Sequence, residues 1–234
     1  MQLLAITSTV ASVALLSLPV QVHAQNSNGL NPNLTLRFFT SSQDDSCDFG
    51  ATGQAITFTT ESIPVLPYCF DLADLFDGNA TSGFVNQTGN RPNVLGEHGI
   101  HWSLSNTEAY DASANYSSVL YRQHISSPNT DDQKPGHRAE RRATIYPGKG
   151  CTQKDPNDDK GLLPWFGLSC LSEDKGRCGT TPYSIQSFYI QAGDSEKQGT
   201  CWDFAKNGQS AAAHLSMSVA AVLVATGVTV WLAL

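Results

Sequence analysis

The sequence predicts an all-β protein, an antiparallel β-sandwich or barrel of about seven or more short strands, stabilised by disulfides. Three observations carry this expectation. Apolar and polar residues alternate with period two in many short runs rich in Thr, Ile, Phe and Tyr. Clusters of Gly, Asn, Asp and Pro separate those runs. Six cysteines, an even number, stand between Cys47 and Cys201.

The runs follow one another along the chain. Leu34, Leu36 and Phe38 alternate with Thr35, Arg37 and Phe39, and Ile56 and Phe58 with Thr57 and Thr59. Ile100, Trp102 and Leu104 alternate with His101, Ser103 and Ser105. Similar runs occupy residues 116–121, 143–146, 185–190 and 200–204. Each predicts a strand with one buried face. The best helical candidate is residues 70–76, hardly two turns. Two stretches predict loops. Residues 126–142 hold Pro128, Pro135, Gly136 and many charges, and residues 155–161 are short, acidic and turn-like.

The two ends differ from the middle. Every charged side chain lies from Arg37 to Lys206, so the first 36 and last 28 residues carry none. Near the start, an apolar run closes at Pro19-Val20, and Val22-His23-Ala24 supplies compact residues for a signal-peptide cut after Ala24. The n-region lacks Lys and Arg, which departs from the usual pattern. After Lys206, small residues and a polar spacer lead to an apolar run from Val219 to Leu234 with no basic flank. That is the pattern of a glycosylphosphatidylinositol (GPI) attachment signal. Asn207 keeps the spacer near its usual length, and Ser210, followed by Ala211 and Ala212, best satisfies the need for small side chains. The attachment site is therefore Asn207 or Ser210. The expected organisation is a signal peptide at 1–24, a single ectodomain at 25–208 and a discarded propeptide at 209–234. This layout of the ends resembles that of GPI-anchored, glycosylated surface proteins such as those of fungal cell walls. The resemblance covers the terminal segments and carries no activity with it.

Composition narrows the partners. The formal net charge is −7, which argues against nucleic acid. In an oxidising compartment, Cys47, Cys69, Cys151, Cys170, Cys178 and Cys201 predict three disulfides. Cys47 and Cys69 flank one expected hairpin and are paired on that ground. The last four pair as Cys151–Cys201 around Cys170–Cys178, or sequentially. Four N-x-S/T sequons, at Asn33, Asn79, Asn86 and Asn115, are expected N-glycosylation sites.

No catalytic, cofactor or metal residue is assigned. Glu97-His98-Gly99-Ile100-His101 resembles a metal cluster, but on a strand residues three apart face opposite ways. His23 would serve as an N-terminal metal ligand only after a cut following Val22. Gly193-Asp194-Ser195 is not followed by a His before the tail, and Gly167-Leu168-Ser169-Cys170 lacks the second Gly of a nucleophile elbow. Residues 155–161 resemble a calcium loop, yet Lys160 stands where Gly belongs and Phe166 where Glu belongs. Trp102, Trp165, Trp202 and Tyr189 would stack on sugar rings if exposed, though in a small sandwich each is by default a core residue. Arg138-Ala139-Glu140-Arg141-Arg142 offers a dibasic protease site if its loop is exposed.

The sequence therefore predicts a GPI-anchored, N-glycosylated protein on the cell surface or in the wall. Its first expected role is non-enzymatic: surface or wall organisation, adhesion or cell contact. Its partners are the outer leaflet through the lipid, and wall polysaccharide or a surface protein. One alternative is a surface-held carbohydrate-active enzyme or polysaccharide-binding protein. Another is an effector or toxin-like protein processed after Arg142.

Overall fold

The computed structural model describes residues 33–40, 47–51, 53, 55–88, 98–193 and 201–208. The alternating runs form antiparallel strands because each presents an apolar row that only a second sheet can cover. In chain order they are β1 (Leu34–Phe39), β2 (Ile56–Thr60), β3 (Tyr68–Asp71), β4 (Ser82–Asn86), β5 (Gly99–Ser105), β6 (Ser118–Arg122), β7 (Arg138–Tyr146), β8 (Lys154–Asp155), β9 (Asp158–Leu162), β10 (Trp165–Cys170), β11 (Arg177–Thr180), β12 (Ser187–Ala192) and β13 (Ala205–Asn207). Six strands form one sheet in the order β11-β6-β1-β2-β5-β4, and five form the other in the order β13-β10-β7-β12-β3. Both sheets are open, so the fold is a sandwich and not a closed barrel. β8 and β9 make a separate hairpin where residues 155–161 were expected to be a loop.

An aromatic layer joins the sheets. Phe58 of β2 meets Phe188 of β12 edge-on at 4.9 Å and Phe70 of β3 at 5.0 Å, and Phe38 of β1 lies 5.4 Å from Phe188. Leu34, Leu36, Ile56, Ile145 and Ile190 fill the space around them and are almost wholly buried. The short helix α1 (Leu72–Phe76) buries Leu72, Leu75 and Phe76, close to its expected place.

β1 departs from simple alternation because both of its faces are buried. The inner face meets the aromatic layer. The outer face is covered by the segment that precedes β2. There the Arg37 guanidinium donates to the carbonyls of Asp48 and Ala51 at 3.1 Å and of Phe49 at 3.2 Å. The Arg122 guanidinium lies over the Phe49 ring at 4.1 Å. Two cations on the sheet thus hold the cover down.

Residues 138–142 were expected to belong to an exposed charged loop. They form the first half of β7, the central strand of the five-stranded sheet. Arg141 faces inward and is fully buried. Its Nε donates to the Ser62 carbonyl at 2.7 Å and its Nη2 to the Glu61 carbonyl. Nη1 reaches Gln123 Oε1 at 3.4 Å, and Gln123 Nε2 donates to the Tyr121 hydroxyl and, at 2.9 Å, to the Arg141 carbonyl. Burial lowers the proton affinity of this guanidinium from its usual value, while Glu140, Tyr121 and Glu61 act the other way. The expected strand at 200–204 is also displaced: residues 201–204 are a strap that reaches β13 only at Ala205.

Two outcomes follow from this packing. Arg141→Ala leaves buried carbonyls without donors and opens a cavity, so it costs about 3 kcal/mol of stability, whereas Arg142→Ala, half-exposed beside Trp202, costs about 1 kcal/mol. Urea unfolding of the two variants checks the difference. Burial holds the Tyr121 and Tyr183 hydroxyls protonated beyond the ordinary phenol range. The folded state therefore binds those protons more tightly than the unfolded state. Stability is intact below about pH 10 and falls above it as unfolded phenols ionise. An ultraviolet titration should show both phenols ionising only as the fold is lost.

Candidate functional site

Six cysteines close three disulfides, as expected in number and not in pairing. The bonds are Cys47–Cys178, Cys69–Cys151 and Cys170–Cys201. The expected Cys47–Cys69 bond and both arrangements of the last four cysteines are overturned. The topology explains each bond. Cys47 sits on the cover over the six-stranded sheet, whose edge strand β11 carries Cys178. Cys69 lies on edge strand β3, against the tight turn after β7 that holds Cys151, where Gly150 N also donates to Asp71 Oδ1 at 2.7 Å. Cys170 ends β10 and captures the start of the strap at Cys201.

The strap crosses the edge of the sandwich. Trp202 N donates to Ser169 Oγ at 2.8 Å, and its carbonyl accepts from Ser169 N at 2.8 Å and Cys170 N at 3.2 Å. Its indole covers Gly167 so closely that an added Cβ would lie 2.2 Å from the ring. Trp165 lies 5.4 Å away, and the Arg142 guanidinium 4.7 Å over the ring. Phe204 turns the other way, stacking on Phe166 at 4.6 Å and over Gly179. Trp165 and Trp202 are thus packed side chains that pin the strap to the sheet. Trp102 is half-buried over Gly83, and Tyr189 is half-buried on β12.

His101 is exposed on β5 and stacks on Phe84 at 4.3 Å; Glu97 lies outside the described residues. No group of three His, Cys, Asp or Glu positioned for a metal occurs among the described residues. Asp155 and Asp158 belong to the β8–β9 hairpin. Ser169 is buried beneath the strap, and Asp194 and Ser195 lie outside the described residues. Asn79, Asn86 and Asn115 are exposed and Asn33 is half-buried. Asn207 is the last residue of β13, paired with Trp165, and Ser210 lies outside the described residues. Arg141 is fully buried in β7 and Arg142 lies on the next position, half-buried, so the dibasic site is not an exposed loop.

The described residues include two concavities. A cleft of about 270 Å³ is lined by Tyr121, Glu173, Arg177, Trp202 and Asp203, with Arg177 and Asp203 in an ion pair. A shallow groove of about 350 Å³ runs along Thr35, Arg37, Thr57 and Thr59 beside Phe49.

The surface feature that sequence reasoning missed is the β2–β3 connection. Ile63, Leu66 and Tyr68 are 41 %, 44 % and 38 % exposed, and Leu162 is the remaining large exposed hydrophobe among the described residues. Pro64 and Pro67 fix φ on either side of Val65-Leu66. The buried Gln87 amide accepts from Val65 N at 2.9 Å and donates to the Leu66 carbonyl at 2.9 Å. Arg141 holds the carbonyls just upstream. The signal for this loop was its two prolines bracketing apolar residues with no period of two.

No family model matches the chain, and no curated protein or solved structure matches it either.

Trypsin should leave the Arg141-Arg142 peptide bonds uncut in the native protein and cleave them only after unfolding and reduction. Peptide mapping without reductant should recover the three bonds named above. Replacing Cys69 and Cys151 by Ser, which frees a loop of 82 residues, should cost about 2–5 kcal/mol in denaturant unfolding.

Proposed function

We propose that this chain is an extracellular, N-glycosylated protein tethered to the outer leaflet or the wall through a GPI lipid. It acts without catalysis, in surface or wall organisation, adhesion or cell contact. The observation that carries the reading is the set of three disulfides, each joining elements far apart in the chain. Such bonds persist where thiols are oxidised and are rare in the cytosol. The exposure of Asn79, Asn86 and Asn115 supports glycosylation, since each leaves room for a bulky glycan. The small residues after β13 support attachment at Asn207 or Ser210, and no Lys or Arg follows Lys206. On this reading residues 1–24 are removed as a signal peptide and the tail beyond Asn207 or Ser210 as a propeptide.

A second reading is a sugar-binding surface protein. The cleft favours it, because Arg177, Asp203 and Glu173 beside Pro135 and Leu171 offer groups that bond hydroxyls next to apolar area. Affinity electrophoresis through wall polysaccharide separates the two readings: retardation that Asp203→Ala and Arg177→Ala remove favours sugar binding.

The tether is tested on intact cells. Phosphatidylinositol-specific phospholipase should release the protein, and mass spectrometry should find a C-terminal peptide ending at Asn207 or Ser210 with lipid-anchor remnants. A protein that stays on the cell and yields a peptide ending at Leu234 refutes the anchor.

A further inference from the structure

We infer that N-glycans on Asn79 and Asn86 guard the open edge of β4, and that they keep the same strand of a second copy from pairing with it. The inference rests on the reading of the chain as N-glycosylated, and it assigns two of the sequons a task.

Among the described residues the two large sheets end in β11, β4, β13 and β3. A bare edge offers a row of N–H and C=O groups to any strand that meets it. Folded proteins block such edges with charge, proline, brevity or a cover. β11 carries the Cys47–Cys178 bond and the Arg177–Asp203 ion pair. β3 carries the Cys69–Cys151 bond, and its Asp71 accepts from Gly150 N at 2.7 Å. β13 is three residues long, with exposed Lys206 at its centre. β4 reads Ser-Gly-Phe-Val-Asn and has none of these devices. No charged residue and no proline stands between Asp77 and Arg91.

Leu104 N donates to the Thr81 carbonyl at 2.7 Å, and Gln87 N to the His98 carbonyl at 2.7 Å. In an antiparallel ladder the backbone groups that face one partner recur every second residue. Thr81, Gly83, Val85 and Gln87 therefore face β5. The N–H and C=O groups of Ser82, Phe84 and Asn86 face the other way, where no described strand pairs with them. Five residues span about 17 Å at the usual rise, and an antiparallel pair of identical strands satisfies both at once.

The sequons bracket this edge. Asn79 stands three residues before β4 in the exposed run 77–82, and Asn86 is the last residue of β4 and is exposed too. Asn86 accepts from Thr88 N through Oδ1 at 2.8 Å, whereas a glycan is carried by Nδ2. Val85 packs on the core, so Phe84 and Asn86 share the outer face two residues apart. Phe84 is half-exposed there, and a glycan on Asn86 also shields its ring. Asn115, by contrast, precedes β6, an inner strand paired on both sides.

The test uses the full chain made in a secretory host and purified in detergent, with peptide mass spectrometry for the glycans and sedimentation for self-association. The wild type is expected to carry glycans on Asn79 and Asn86 and to be monomeric. The double variant Asn79→Gln with Asn86→Gln should raise the self-associated fraction about tenfold, and Asn115→Gln should leave it unchanged. Adding Ser82→Lys to the double variant should restore the monomer, because a charge blocks an edge as a glycan does. All four positions are exposed, so the variants should melt as the parent does. If the double variant fails to fold, wild-type protein whose glycans are trimmed enzymatically after folding decides, and it should associate as well. Bare Asn79 and Asn86 in the wild type overturn the glycosylation reading and this inference with it. Occupied sites with a folded but monomeric double variant, or with trimmed protein that stays monomeric, overturn this inference alone. So does equal association by Asn115→Gln, or association that Ser82→Lys leaves in place.

Discussion

A guanidinium buried in a sandwich sets a condition that the surrounding chain must meet. It cannot lose its charge at ordinary pH, it has only donors, and it has left water behind. Arg141 stands in the central strand of the five-stranded sheet, on the row that otherwise carries Ala139, Ala143 and Ile145 into the core. The oxygens it needs come from the other side. Glu61 and Ser62 supply backbone carbonyls from the chain leaving β2, and Gln123 supplies its amide oxygen from the chain leaving β6. The two sheets are thereby registered at this end. A slip of β7 by one residue would carry Arg141 outward and bring Glu140 in.

At the β13 edge of the same sheet, closure is achieved by apolar area. The strap after Cys201 alternates like a strand without pairing as one, sending Trp202 outside and Phe204 inside. Phe204 adopts a φ of 50°, a region that costs a bulky residue energy. Its ring between Phe166 and Gly179 offsets that cost by burial, and the bare backbones of Gly167 and Gly179 allow both rings to approach. The Cys170–Cys201 bond fixes where this seven-residue closure begins.

These two sites also explain what was legible in the sequence. Alternation is legible because a half-buried strand must write it, so β2, β5, β6 and β12 stand in or near the runs that predict them. The number of disulfides is legible from the even count of cysteines. Their pairing is not, because nearness in sequence decides it only within one hairpin, whereas Cys47, Cys69 and Cys170 find partners that sheet order brings beside them. Charge misled at Arg141, since a run of Arg and Glu reads as solvated unless the carbonyls that will receive it are known. The strap misled for a related reason: residues 201–204 carry a strand's pattern, yet what they cover is an edge. The β2–β3 loop was passed over because its apolar residues follow no period, and exposure cannot be read from residue type alone.

The route from the chain exit to that loop crosses the molecule through its least yielding parts. A pull applied beyond Asn207 first meets the three residue pairs of β13 with β10, then the packed rings of Phe204 and Trp202. If these give way, Cys201 still holds Cys170 at the far end of β10 by a covalent bond. From β10 the load passes into β7 along the ladder that joins them, and Arg141 hands it to Glu61 and Ser62, where the exposed loop begins. Asn207 and the exposed loop are thus joined by a disulfide, a central strand and a buried cation, and none of these links depends on a surface ion pair that salt would weaken. The residues that make the fold unique are thus also the ones that link its two far corners mechanically.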